Sequence, residues 1–199
     1  MSMNRLVAAC AFHAIVCTLL LTTSISSAAD TGPAQPRPHG VRVPVPIHKI
    51  QIDDGDTVSI LWSRGEIETV RILGADTPET RHEEHGIPFD QPFGREATAF
   101  GRGVLAMADK VELIRASTLD PYDRTLGYLY INDRNYSVLL ISARLAVETV
   151  SHYGDNGLPR EAKACLEAAA KAGPVPFEPP YLFRGRMKEI AQGTRSGGS

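Results

Sequence analysis

The sequence predicts a mainly β fold with helices, a five-stranded barrel carrying about three of them. Three observations point there. Short runs with alternating apolar residues follow one another from Ile50 to Leu73, a stretch with helical spacing interrupts the strands at Arg95–Ala108, and two more strand-like runs precede further helices. The composition allows such a fold: 199 residues, 43% hydrophobic and 22% charged, suit one or at most two globular domains and exclude disorder throughout.

Residues 1–29 are set apart first. Arg5, an apolar run from Leu6 to Leu21 and the small residues Ser27, Ala28 and Ala29 form the pattern of a secretory signal peptide cleaved after Ala29. The run falls short of the ~20 residues of a membrane span, which weighs against the alternative of a retained anchor. Cleavage would remove Cys10 and Cys17 and leave Cys165 alone, so the mature chain would hold no internal disulfide. Cys165, within a strongly helical run, is expected as a small buried thiol.

Residues 30–46 hold Pro33, Pro36, Pro38, Pro44 and Pro46, and they are expected to form an exposed leader. The domain proper is expected over 47–173. Ile50 and Ile52, then Val58, Ile60 and Trp62, then Ile67, Val70, Ile72 and Leu73 mark three antiparallel strands, with bends at Asp54-Gly55 and Arg64-Gly65. Thr77 and Pro78 break the third, and Glu79–Pro92 has no sustained period, as in a surface loop. Ala97, Phe100, Val104, Leu105 and Ala108 give the first helix its apolar stripe. Val111–Ile114 and Leu126–Ile131 are the last two strands. Ser137 is expected to cap a helix through Leu139–Ile141, and Pro159 to open another that ends near Gly173. Five strands with a helix between the third and fourth is the order of an OB-fold barrel. Residues 174–199, with four prolines and then four basic residues against one acidic from 181 onward, are expected as a flexible basic tail.

The 21 Lys and Arg against 23 Asp and Glu leave a formal charge of -2, which excludes binding of nucleic acid by bulk positive charge. Any polyanion must be gripped locally. Three segments combine residue types suited to metal-assisted phosphodiester cleavage: Asp54-Gly55-Asp56-Thr57, Arg71 through Glu79, and Asp120 through Arg124. A hard divalent cation takes oxygen ligands, and two bends can bring Asp56 and Asp76 to one point. Each segment alone is an ordinary turn or loop start, so the argument rests on their joint occurrence.

These segments, with Val70-Arg71-Ile72-Leu73-Gly74-Ala75-Asp76-Thr77-Pro78-Glu79-Thr80, Phe93-Gly94-Arg95-Glu96-Ala97 and Asp120-Pro121-Tyr122-Asp123-Arg124, resemble the staphylococcal thermonuclease (micrococcal nuclease) family over about residues 47–172. The resemblance implies a five-stranded barrel with three helices and a Ca²⁺-dependent nuclease acting on DNA and RNA with little sequence preference. It implies Asp56, Asp76 and the carbonyl of Thr77 as calcium ligands, Glu79 as general base, and Arg71 and Arg124 as phosphate-binding arginines, with Tyr122 bonding a phosphate oxygen. No stable protein partner is implied. The expected protein is a monomer, secreted or periplasmic, free of the membrane once its signal is removed.

Departures from the pattern are informative. Pro121 and Asp123 replace a Lys and a Gly of the staphylococcal enzyme, setting a negative charge beside Arg124. Its base-stacking tyrosines fall near Val150 and His152, with Tyr153 one residue on and able to substitute if the loop shifts register. Arg144 replaces a helix-ending Gly. Asp54 is expected to shape its loop. His82, Glu83, Glu84 and His85 meet no zinc spacing rule, and Trp62 is expected to pack within its strand. A barrel that binds without cleaving and an anchored envelope protein are the competing readings.

Overall fold

The computed structural model describes residues 32–196, so the expected signal peptide lies outside the described residues. The proline-rich segment is not a free leader: Arg42–Pro44 (β1) lies at one edge of the sheet, with Val43 opposite Leu113 of a later strand. Proline is tolerated there because an edge strand has N–H groups that need no partner. Val45 is buried and its N–H donates to the Val111 carbonyl at 2.9 Å, and Gln35 N–H likewise bonds Ser117 O at 2.8 Å. Short-range composition overstated the prolines and understated Val43 and Val45.

Ile50–Ile52 (β2), Thr57–Ser63 (β3) and Glu66–Ile72 (β4) form the expected meander, with Val58 paired to Val70 and Ile52 to Val58. Val58, Ile60, Val70 and Ile72 all point into the core, as their alternation requires. Two residues, Ala75–Asp76 (β5), then begin the long loop, and Gly94–Ala106 (α1) follows it. Val111–Leu119 (β6), longer than expected, pairs antiparallel with Thr125–Ile131 (β7). β7 also runs parallel to β4, with Leu126 opposite Arg71. The order β1-β6-β7-β4-β3-β2 therefore puts the five expected strands in the succession first, second, third, fifth, fourth. That is OB-fold topology, here a curled half-barrel.

Arg134–Asn135 (β8) turns back to pair antiparallel with β7 and leads into Tyr136–Ser142 (α2). Asn135, not Ser137, caps this helix: its Oδ1 accepts the Ser137 N–H at 2.9 Å, while Ser137 Oγ donates to the Leu73 carbonyl at 2.7 Å. Arg144, just beyond α2, has φ +59°, so the left-handed turn favoured by Gly is retained by a larger residue at a cost of roughly 1 kcal/mol. Its Nε offsets part of this by donating to Pro174 O at 2.7 Å. Val147–Glu148 (β9) pairs with β5, and Val150–Tyr153 (α3) and Pro159–Ala172 (α4) follow.

Gly74, at φ +77°, leads from β4 into β5 where no side chain fits: a Cβ would lie 2.7 Å from Cys165 Sγ and 3.0 Å from a Tyr128 ring carbon. Cys165 is the buried thiol expected, pushed up to about 12 by burial.

The tail is the largest correction. Pro180–Ser196 is a helix (α5), whose Phe183 and Met187 are buried in a cluster with Ile87. These two sit one helical turn apart on a single face, and Pro180 can open a helix because its missing N–H needs no partner there. Gln91 Nε2 donates to Glu178 O at 2.7 Å, and Phe177 packs on Phe93 at 5.8 Å. The tail is thus docked on the loop between β5 and α1. Among the described residues no helix is long and apolar enough to cross a membrane.

Candidate active site

The centre begins at the bend between β2 and β3. Asp54 Oδ1 accepts the N–H of Asp56 at 3.1 Å, the loop-shaping role expected of it. Gly55 meets Thr77 so closely that a Cβ would lie 2.7 Å from the threonine Cβ atom, and the Tyr136 hydroxyl donates to its carbonyl at 2.9 Å. A small residue at the bend therefore lets two distant segments touch. Asp56, buried, accepts the Thr77 N–H on Oδ2 at 2.7 Å.

Arg71 joins the two segments. Its Nη1 bonds Asp56 Oδ1 and its Nη2 donates to Asp76 Oδ1 at 2.7 Å. β4 presents this guanidinium to the bend because Thr57 pairs with Arg71 across β3 and β4. Asp76, also buried, is held by the pairing of β5 with β9.

Glu79 follows on the loop, fixed through its backbone: its N–H donates to Gln91 Oε1 at 3.2 Å and its carbonyl accepts the Gln91 N–H at 2.8 Å. Burial raises its carboxyl above the ordinary range, and hydrogen bonding to Arg184 offsets this only in part. Arg184, from α5, donates to both Asp76 oxygens at 3.0 Å and to Glu79 Oε1 at 2.5 Å. Burial opposes its charge, but these carboxylates hold its pKa above the ordinary arginine value.

Asp56, Arg71, Asp76, Thr77 and Glu79 are therefore brought together by these contacts. Arg124 is held differently. Its Nε donates to Asp120 Oδ2 at 2.7 Å, and Asp120 Oδ1 also accepts the N–H groups of Tyr122 and Arg124 at 2.8 and 2.9 Å. This β6–β7 loop ends where β7 runs beside β4, and Arg124 lies two residues before Leu126, the partner of Arg71. Asp123, at φ +60°, completes the turn. Tyr122 is 78% exposed, with the Arg124 guanidinium 5.6 Å from its ring. Tyr153, 66% exposed at the end of α3, rests edge-on against His152 at 4.6 Å.

Two partners escaped sequence reasoning, Gln91 and Arg184, and of these only Arg184 carried a signal, the spacing of Phe183 and Met187. Asp120 is singled out there as part of its segment, but not as the residue that holds Arg124. Trp62 packs within its strand as expected, its Nε1 donating to Glu68 Oε2 at 2.6 Å. The donor atoms of His82, Glu84 and His85 do gather within 4.8 Å, on the turn after Glu79. Their spacing still matches no structural zinc pattern.

Two buried carboxylates linked by one guanidinium, with a third carboxylate linked to the second, form an all-oxygen donor set around cations. Such a set fits a hard divalent ion. Residues 69–173 match the family described as Staphylococcal nuclease homologue. Over 97 residues the chain is 35% identical to the thermonuclease of Staphylococcus intermedius, covering 48% of this chain and 55% of that protein. It is 30% identical over 94 residues to the SPbeta prophage-derived endonuclease YokF of Bacillus subtilis (strain 168), covering 47% and 30%. With the thermonuclease of Staphylococcus hyicus the identity is 29% over 133 residues, covering 66% and 76%. The match thus spans only about a third of YokF and half of the S. intermedius protein.

Proposed function

Because this chain belongs to the staphylococcal nuclease homologue family, we propose that it is a Ca²⁺-dependent endonuclease that hydrolyses DNA and RNA with little sequence specificity. The observation carrying this reading is the convergence of Asp56, Arg71, Asp76 and Glu79, from two segments, at one partly buried point. A module that only binds has no need of a carboxylate with a raised pKa beside two others.

Asp56, Asp76 and Thr77 would hold the calcium, which when bound polarises a phosphoryl oxygen and favours deprotonation of water. Glu79 takes the proton from the attacking water at a carboxylate oxygen. Its raised pKa suits that task, because a base closer to the working pH accepts a proton more readily. Arg71 and Arg124 donate paired hydrogen bonds to the phosphate oxygens as charge accumulates on them, a match of planar fork to oxyanion that Lys lacks. Asp120 pre-orients Arg124 through its Nε. Tyr122 bonds a phosphate oxygen, and exposed Tyr153 offers a ring on which a base stacks.

Purified protein should cleave DNA with calcium and stop in excess chelator; full activity in chelator overturns the reading. Asp56→Asn, which keeps an acceptor for the Thr77 N–H and removes the charge, should weaken calcium binding at least tenfold in calorimetry. Unchanged affinity would show that Asp56 is not a ligand.

The same reading makes the protein a secreted or periplasmic monomer. Mass spectrometry of exported protein should find its first residue at or near Asp30, and an exported form starting at Met1 would replace this with an anchored topology.

A further inference from the structure

Arg184 comes from α5, beyond residue 173 where the family match ends. Its Nη1 and Nη2 engage Asp76 Oδ1 and Oδ2, and Nη1 also reaches Glu79 Oε1. One planar cation therefore spans the residue that would hold calcium and the residue that would take the proton. Asp76 Oδ1 is shared with Arg71, but Oδ2 is bonded by Arg184.

Apolar contacts deliver it there independently of the ion pair. Phe183 and Met187, flanking Arg184 on the helix, are buried with Ile87. Gln91 holds the chain just ahead of α5 through Glu178 O, and Phe93 packs on Phe177. Ile87, Gln91 and Phe93 all belong to the loop that also carries Glu79. The docked helix and the base are thus mounted on one segment.

We propose that Arg184 is a second cation of this centre, beside Arg71, and that it must leave Asp76 Oδ2 before a metal ion is bound, so that α5 sets the calcium concentration at which cleavage begins. The inference rests on the nuclease reading above. Two cations compete for the same carboxylate oxygens, and a docked state favoured 10- to 100-fold weakens apparent metal affinity by about that factor. Calcium binding in turn releases the helix, because each ligand disfavours the other equally.

Calorimetric titration of calcium into the full protein tests this. Arg184→Ala should bind calcium at least tenfold more tightly than the unchanged protein. Phe183→Ala, which leaves the charge in place and weakens docking, should move the affinity in the same direction. Arg186→Ala removes a cation that pairs with Glu178 instead, and should stay within twofold. In the unchanged protein, calcium should speed amide hydrogen exchange across residues 180–191. Equal calcium affinity in the unchanged protein and Arg184→Ala, or exchange in α5 indifferent to calcium, overturns the latch and leaves the nuclease reading standing. Looser calcium and weaker nucleotide binding in Arg184→Ala would make Arg184 a substrate ligand and also overturn it. Calcium bound by neither protein removes the metal reading and the latch together.

Discussion

Glu79→Gln lowers the turnover of DNA by about 10²–10⁴-fold, the range over which a positioned base accelerates proton transfer. Affinity for a nonhydrolysable nucleotide, measured by calorimetry, stays close to that of the unchanged protein. The amide keeps the shape of the side chain and an acceptor oxygen for Arg184, while losing the group that accepts the proton. Its backbone anchors on Gln91 are untouched, so the thermal midpoint moves little. Arg124→Ala behaves otherwise: turnover and nucleotide affinity both fall, because its guanidinium acts on the phosphate before and during the reaction. A Glu79→Gln protein as active as the unchanged one would show that another group activates the water. A protein that binds calcium and nucleotide but never cleaves would be the binding-only barrel, with Asp123 beside Arg124 as the reason.

Arg115→Met should be the most damaging substitution for stability, by about 3–5 kcal/mol, because it strips the buried Glu68 carboxylate of its fork and leaves only the partly exposed Arg37, with Nε 3.6 Å away, to balance its charge. Arg115 of β6 and Glu68 of β4 are almost wholly buried and form a fork, Nε to Oε1 at 2.7 Å and Nη2 to Oε2 at 2.8 Å. Thr125 Oγ1 and Trp62 Nε1 complete the acceptor's bonding at 2.7 and 2.6 Å. Arg115 Nη1 also donates to Pro38 O at 3.2 Å, and Gln35 to Thr125 at 3.1 Å. One ion pair therefore ties the amino-terminal segment to four strands, β3, β4, β6 and β7. Methionine nearly fills the volume, which separates the lost charge from a cavity. For a chain of this size the thermal midpoint should fall by roughly 10 °C, and a fall of under about 2 °C would show that the pair contributes little.

The same pair predicts a pH dependence. Burial alone would raise the Glu68 pKa, but hydrogen bonds from Arg115, Thr125 and Trp62 outweigh it and hold it below the ordinary value. A lowered carboxylate pKa stabilises the fold above the unfolded-state value, about 4.3, and the contribution is lost as pH falls through the folded value. The stability difference between the unchanged protein and Arg115→Met, measured by urea unfolding, should therefore shrink below about pH 4.

The strand meander and the helices of residues 94–106 and 159–172 are legible in signals read over a few residues: alternation, helical spacing, and Asp-Gly or Thr-Pro at a bend. Asp56, Arg71, Asp76, Thr77 and Glu79 are singled out by the joint occurrence of their segments and by resemblance to the thermonuclease family. The remainder depends on contacts between segments far apart in the chain. Val43 and Val45 become a paired strand and its buried continuation because β6, some seventy residues later, offers them a partner and an apolar surface, and five nearby prolines hide that potential. Arg124 takes its orientation from Asp120, whose bonding depends on the turn that Asp123 completes. Arg184 reaches Asp76 across 108 residues. Its helix announces itself through two apolar residues one turn apart, too few to separate a docked face from a solvated tail until Ile87 is there to bury them.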